Sequence, residues 1–221
     1  MKENRRKVLN GILSIYTWVG IALLIFGVIV VVLPLAPGIV YSIYPSAYDN
    51  ELDSLTDEIH IDPDSIDSGD RTDQELVVEA FPAQDLALPT TPQLKITKIG
   101  VNGTLQQGSN GNDALSKGPW IVPDLGDPMN NYLPTIIASH RWGGIGWSSE
   151  QRELLSFNKL PDLVAGDTIQ IVWDQRVFEY QVIRVVESTY IDDYNTDLIL
   201  YTCKYLWQNP TRIFVYAERS N

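Results

Sequence analysis

Leu198–Arg212, LILYTCKYLWQNPTR, is the stretch on which the reading of this chain turns. Leu198 to Thr202 is a short apolar run of strand character, and it ends at Cys203, the only cysteine among 221 residues. Nine positions on, Arg212 opens a second β-rich run, Ile213-Phe214-Val215-Tyr216. A strand that ends in a thiol, beside one that carries a guanidinium, supplies a nucleophile and an electrostatic partner. The missing piece is a base. The chain has two histidines, and His60 lies in an acidic tract. His140 is therefore the partner to consider.

Working outward, residues 81–221 have the length of a single domain with one core. Leu94 to Ile99 alternates apolar and polar residues, the period of a half-buried strand. Gly100 to Gly118 reads as a glycine-punctuated loop with one short strand at Gly103 to Gln106. Pro134 to Ser139 is a short apolar strand that delivers His140, and Arg141 to Ser149 is a Gly/Trp loop. Ser148-Ser149-Glu150 caps a helix expected to run through Leu160. Thr168 to Trp173 and Val177 to Glu187 form a hairpin joined at Asp174-Gln175-Arg176. Leu198 to Thr202 and Thr211 to Glu218 complete the set. The fold class is mainly β, seven or eight short strands with one or two short helices, in a small closed barrel or a sandwich.

The N-terminal part differs in kind. Residues 1–10 form a basic tail with Lys2, Arg5, Arg6 and Lys7 against Glu3. Residues 11–33 carry no charge and are rich in Ile, Leu and Val. As a helix rising about 1.5 Å per residue they span the roughly 30 Å hydrocarbon core. Tyr16 and Trp18 suit the headgroup level, and the basic flank favours a cytoplasmic N-terminus. The competing reading, a cleaved signal peptide, calls for an apolar region of about 7–15 residues, shorter than this one. Residues 34–80 form an interfacial segment and then an acidic linker. From Asp49 to Ala80 twelve acids face one base, Arg71, and account for nearly all of the chain's net charge of −12. Such composition stays solvated. Asp62, Asp64, Asp67 and Asp70 lack the full calcium-loop pattern. No metal and no cofactor is expected. Residues 81–221, with fifteen acids and eleven bases, offer no basic patch for nucleic acid.

Each of the three reactive residues has a plain alternative. Cys203 is either a reactive thiol or a small buried hydrophobe. His140 either moves protons near neutral pH or hydrogen-bonds structurally to a neighbour. Arg212 either pairs with a surface acid or donates to a carbonyl and its developing oxyanion. A serine hydrolase built on Ser139-His140 is disfavoured, because no Gly-x-Ser-x-Gly elbow is present.

Together these residues resemble the sortases, membrane-anchored cysteine transpeptidases of mainly Gram-positive surfaces. The family motif Thr-Leu-x-Thr-Cys is matched by Ile199-Leu200-Tyr201-Thr202-Cys203, with Ile199 in place of the first threonine, and Arg212 stands on the next strand. The histidine string is Ser139-His140-Arg141. Lys98-Ile99-Gly100-Val101, Gly118-Pro119, Phe157-Asn158-Lys159-Leu160 and Gly166-Asp167 extend the similarity across residues 90–219. Tryptophans are frequent around the site (Trp120, Trp142, Trp147, Trp207). The resemblance implies a closed sortase-like β-barrel preceded by a transmembrane helix, with the catalytic domain outside the cell. It implies His140, Cys203 and Arg212 as catalytic residues. Thr202, Ser139 and Trp142 are expected on substrate, and a backbone amide after Cys203 is expected to help Arg212 hold the oxyanion. The partners implied are surface proteins with C-terminal sorting signals, Leu-Pro-x-Thr-Gly in type, and an amine of a cell-wall precursor or a pilin. The chain ends at Asn221, just after its last strand, which leans toward a general anchoring role. Two other classes share these features, a surface cysteine peptidase using water and a non-catalytic β-barrel binding module.

Overall fold

The charge-free run, up to Val32, lies within one helix, α1 (Lys2–Val32), in the first of two units, Met1–Ile43 and Tyr44–Asn221. The structure, a computed structural model, describes residues 2–32, 81–130, 132–144, 146–205 and 210–220. In α1 the described side chains, residues 14–29, are all exposed, Trp18 at 70 % and Leu24 at 67 %. Among the described residues no helix is long and apolar enough to cross a membrane. The span expected over 11–33 extends past the described side chains, and the segment 34–80, with His60, lies outside the described residues, as does Trp207.

The second unit is built on strands β1 (Gln93–Ile96), β2 (Val101–Thr104), β3 (Trp120–Ile121), β4 (Thr135–Ala138), β5 (Thr168–Trp173), β6 (Arg176–Ser188), β7 (Leu198–Cys203) and β8 (Arg212–Arg219). Two short helices interrupt them, α2 (Gly111–Leu115) and α3 (Ser149–Leu155). The strands form one curled sheet in the order β2-β1-β5-β6-β8-β7-β4-β3. Every neighbouring pair is antiparallel except β4 with β7, which is parallel. The expected barrel is thus a half-barrel. Its edges, β2 and β3, meet at a single bridge, where Gln106 N–H donates to Pro119 O at 2.7 Å and Ile121 N–H to Gln106 O at 3.0 Å. Closure stops there because β3 has two residues and α2 takes the β2–β3 connection out of the ladder.

Local chemistry sets the element ends. Asp174 (φ 48°) and Gln175 (φ 56°) turn β5 into β6, the left-handed pair that a two-residue hairpin requires. The first strand ends at Ile96, earlier than its alternation suggests, because Thr97–Ile99 forms a 3₁₀ turn closed by Gly100 at φ 81°. α3 starts at a reciprocal cap: Ser148 Oγ accepts from Gln151 N–H and Gln151 Oε1 from Ser148 N–H. It stops at Leu155 and does not reach Leu160. Phe157 is drawn wholly into the core, and its N–H donates to His140 O at 2.8 Å.

The central strands are buried on both faces. Leu198, Leu200, Ile213, Val215 and Ala217 join Ile137, Phe157 and Phe178 in the main core. Ile199, Tyr201, Phe214 and Tyr216 alternate with them and are also buried. On that second face Tyr201 and Phe214 stack at 5.8 Å, and Phe214 and Tyr216 at 6.3 Å. Two covered faces explain why these runs read as unbroken apolar sequence. Each fully buried side chain of this kind contributes about 1.5–3 kcal/mol.

Candidate active site

Strand register assembles the site. Antiparallel pairing of β7 and β8 sets Cys203 directly opposite Arg212. Parallel pairing of β4 and β7 runs from Thr135↔Leu198 to Ala138↔Tyr201. Ser139 N–H then donates to Tyr201 O at 3.3 Å, carrying the ladder one step further. The next residue, His140, thereby stands level with Cys203. Arg212, Cys203 and His140 form a row across three neighbouring strand ends, and residues paired across strands share a face. Alternation puts that row on the second face, with Tyr201 and Phe214, and away from the main core.

All three are enclosed: Cys203 is 3 % exposed, Arg212 2 % and His140 0 %. The imidazole of His140 meets Trp147 edge-on, 6.1 Å between centroids. Trp147 is itself fixed, its indole N–H donating to Ser116 O at 2.6 Å. The Gly143-Gly144 step makes room for the ring. A Cβ at Gly144 would lie 2.7 Å from the indole nitrogen, and Gly143 holds φ 88°. An edge-on ring pair of this sort adds about 0.5–1.5 kcal/mol beyond its burial. It also restrains the orientation of the imidazole.

The domain model described as a sortase domain matches residues 94–220. The chain belongs to the sortase family. Solved structures similar to this chain include sortase A from Corynebacterium diphtheriae, in a lid mutant, at 21 % identity. That match covers 60 % of this chain and 71 % of the other, with a TM-score of 0.48. The pilus-related sortase C of Group B Streptococcus is 24 % identical over 60 % of this chain and 68 % of its own, with a TM-score of 0.49. Comparison with curated protein sequences returns no match. The family is one of cysteine transpeptidases acting on surface proteins and pilins, and this member carries a single cysteine, at the end of β7.

Thr202, Ser139 and Trp142, the residues expected on substrate, all lie next to the row. Thr202 alternates with Cys203, faces the other side of β7, and donates its hydroxyl to Ser139 O at 2.8 Å. Ser139 is equally buried and donates its hydroxyl to Leu155 O at 2.7 Å. Both hydroxyls donate to backbone carbonyls, and these bonds tie together the segments that carry His140 and Cys203. Trp142 remains half-buried, with its carbonyl accepting from Arg152 Nη1 at 2.7 Å. The amide after Cys203 is not available to an oxyanion in this arrangement: Lys204 N–H donates to Thr211 O at 3.0 Å. Arg212, opposite Cys203 in the register, brings a guanidinium to the row. Among the described residues no group of three or more His, Cys, Asp or Glu is placed to hold a metal.

Sequence reasoning gave no role to Trp147 or Arg141. Both were in view, one as part of a tryptophan-rich loop and the other in the histidine string. Their contacts run to Ser116 and Lys204, remote in sequence, and no local pattern announces them.

Proposed function

We propose that this sortase is a membrane-anchored transpeptidase that cleaves a Leu-Pro-x-Thr-Gly-like sorting motif and joins the surface protein to an amine. The row Arg212–Cys203–His140 carries this reading. The Cys203 thiolate attacks the scissile carbonyl carbon, and the carbonyl electrons move onto oxygen. Arg212, a fixed and permanently charged fork, stabilises that oxyanion. The intermediate collapses, the C–N bond breaks, and His140 gives its proton to the departing amine. A thioacyl-enzyme remains at Cys203. The incoming amine, from a cell-wall precursor or a pilin, gives a proton to His140 as it attacks. Collapse then releases the thiolate and forms the new amide.

The anchored topology is part of the proposal. Its support is the exposed, largely apolar surface of α1 at residues 14–29, which calls for an apolar surrounding, and the basic residues before it. The N-terminus then lies in the cytoplasm of a single-pass protein and the catalytic domain outside, with the acidic linker as a solvated spacer. Tethering enzyme and membrane-bound substrate to one surface raises their effective concentration.

The test is incubation of the full chain in detergent with fluorogenic Leu-Pro-x-Thr-Gly and Leu-Ala-x-Thr-Gly peptides, with and without an added amine, beside Cys203→Ala. Amine-joined product that disappears in the variant is the expected result. Hydrolysed product alone would place the chain with water-using peptidases. No cleavage, with Cys203 inert to a thiol reagent, would point to a binding module.

A further inference from the structure

The residues flanking the His140–Cys203 pair are tied to each other on both sides. Before the pair, Thr202 Oγ1 donates to Ser139 O at 2.8 Å. After it, Arg141 Nη1 donates to the carbonyl of Lys204. Both ties join residues 63 apart, the same separation as the β4–β7 register. The regular ladder ends at Ala138↔Tyr201, followed only by the Ser139 N–H bond. Beyond that point the two strands enter loops, and the Arg141 side chain continues the register where backbone pairing has stopped.

The far end of this tie is well held. Lys204 N–H is bonded to Thr211 O, and Lys204 Nζ pairs with Glu187 Oε2. The near end is held as well, with the Arg141 guanidinium 5.1 Å from the centre of the Trp142 ring. Burial is the largest influence on Arg141 and works against its charge; Glu187, Asp162, Cys203 and Tyr205 oppose it. An arginine keeps its charge under such conditions. A partly desolvated cation within Coulombic range of Cys203 is costly to place, and its one described hydrogen bond reaches the carbonyl of the residue that follows Cys203.

We propose that Arg141 is a positioning residue: by bridging from the strand end of His140 to the carbonyl after Cys203, it sets the separation of base and nucleophile and keeps a positive charge within Coulombic range of the sulfur. This rests on the transpeptidase reading for its catalytic consequence. The bridge itself does not depend on that reading.

Two variants of the full chain in detergent test it. Arg141→Met keeps the aliphatic packing of the stem and removes every donor and the charge. Arg141→Lys keeps the charge and one donor that reaches the same carbonyl. Misplacing base and nucleophile by about 1 Å costs on the order of 100-fold, so Arg141→Met is expected to lower kcat by about that factor with KM within about twofold. Arg141→Lys should recover kcat to within about tenfold of the parent. Alkylation of Cys203 by iodoacetamide at neutral pH needs no substrate, and it should slow about fivefold in Arg141→Met as the thiolate loses its neighbouring charge. Unchanged kcat and unchanged alkylation would overturn the proposal, as would a rise in KM alone, which would mark Arg141 as a substrate contact. Should Arg141→Met fail to unfold cooperatively, Arg141→Lys decides by the same split of kcat from KM. If the parent chain cleaves no sorting peptide, the transpeptidase reading falls, and the alkylation rates still test the bridge.

Discussion

Trp147 and His140 meet edge to face, with ring planes at 76° and centroids 6.1 Å apart. The contact joins the proposed base to a ring anchored at Ser116, in the connection between β2 and β3. Trp147→Ala should destabilise the fold by about 3–5 kcal/mol, as for other buried aromatics. Trp147→Phe keeps a ring against the imidazole and loses the bond to Ser116 and part of the indole's volume, about 1–3 kcal/mol in all. Urea unfolding gives the stability of both variants. Peptide cleavage should show kcat reduced far more in the alanine variant than in the phenylalanine one.

Thr202 offers a cleaner separation of frame from chemistry. Thr202→Val keeps the shape and deletes the hydroxyl that Ser139 O accepts, leaving a buried acceptor unpaired. The expected cost is about 1–3 kcal/mol. Thr202→Ser restores the donor and gives up one methyl group, about 1 kcal/mol. If Thr202 bound substrate through its hydroxyl instead, valine would raise KM without touching the midpoint of unfolding.

Arg212 is tested by replacing it with lysine. Lysine preserves charge but not the planar fork. Loss of an oxyanion donor typically costs about 10²–10³ in kcat, and Arg212→Lys is expected near the lower end. KM for the sorting peptide should move little. A variant with normal kcat and weakened binding would assign Arg212 to the ground state alone.

Asp192 makes part of the stability pH-dependent. The hydrogen bond from Arg184 is the largest influence holding its carboxyl below the ordinary value of 3.8. A depressed folded-state pKa means that this stabilisation is present above 3.8 and is lost as pH falls through the folded-state value. The pair secures the β6–β7 connection, where Asp192 N–H donates to Tyr216 Oη at 3.2 Å and Arg184 lies over the Tyr216 ring at 3.8 Å. Melting temperature should therefore drop as pH falls below about 3.8, and Asp192→Asn should show a shallower drop over the same window.

Much of this was legible from local pattern. β5 and β6 were recognisable from their apolar runs and the Asp174-Gln175 turn, and β7 and β8 from runs that end or begin at Cys203 and Arg212. The capping box at Ser148 was readable too, because a helix start depends on residues within one turn. The end of α3 was not, since burial of Phe157 against distant strands outweighed helical spacing. Nor was the incomplete closure of the barrel, where a single bridge at Gln106 joins the two edges.

By itself the sequence singled out one thiol and one imidazole as candidates for chemistry, since composition leaves one cysteine and one histidine outside the acidic tract, and the resemblance added Arg212. Only the tertiary structure decided that His140 and Cys203 stand level, because a parallel pairing across a separation of 63 residues is selected by burial on two faces and not by any neighbour in the chain. It likewise decided that the hydroxyls of Ser139 and Thr202, and the amide of Lys204, are spent on backbone carbonyls. Hydrogen-bond partners of buried groups are assigned when strands from distant parts of the chain come together, and a local pattern carries no record of them.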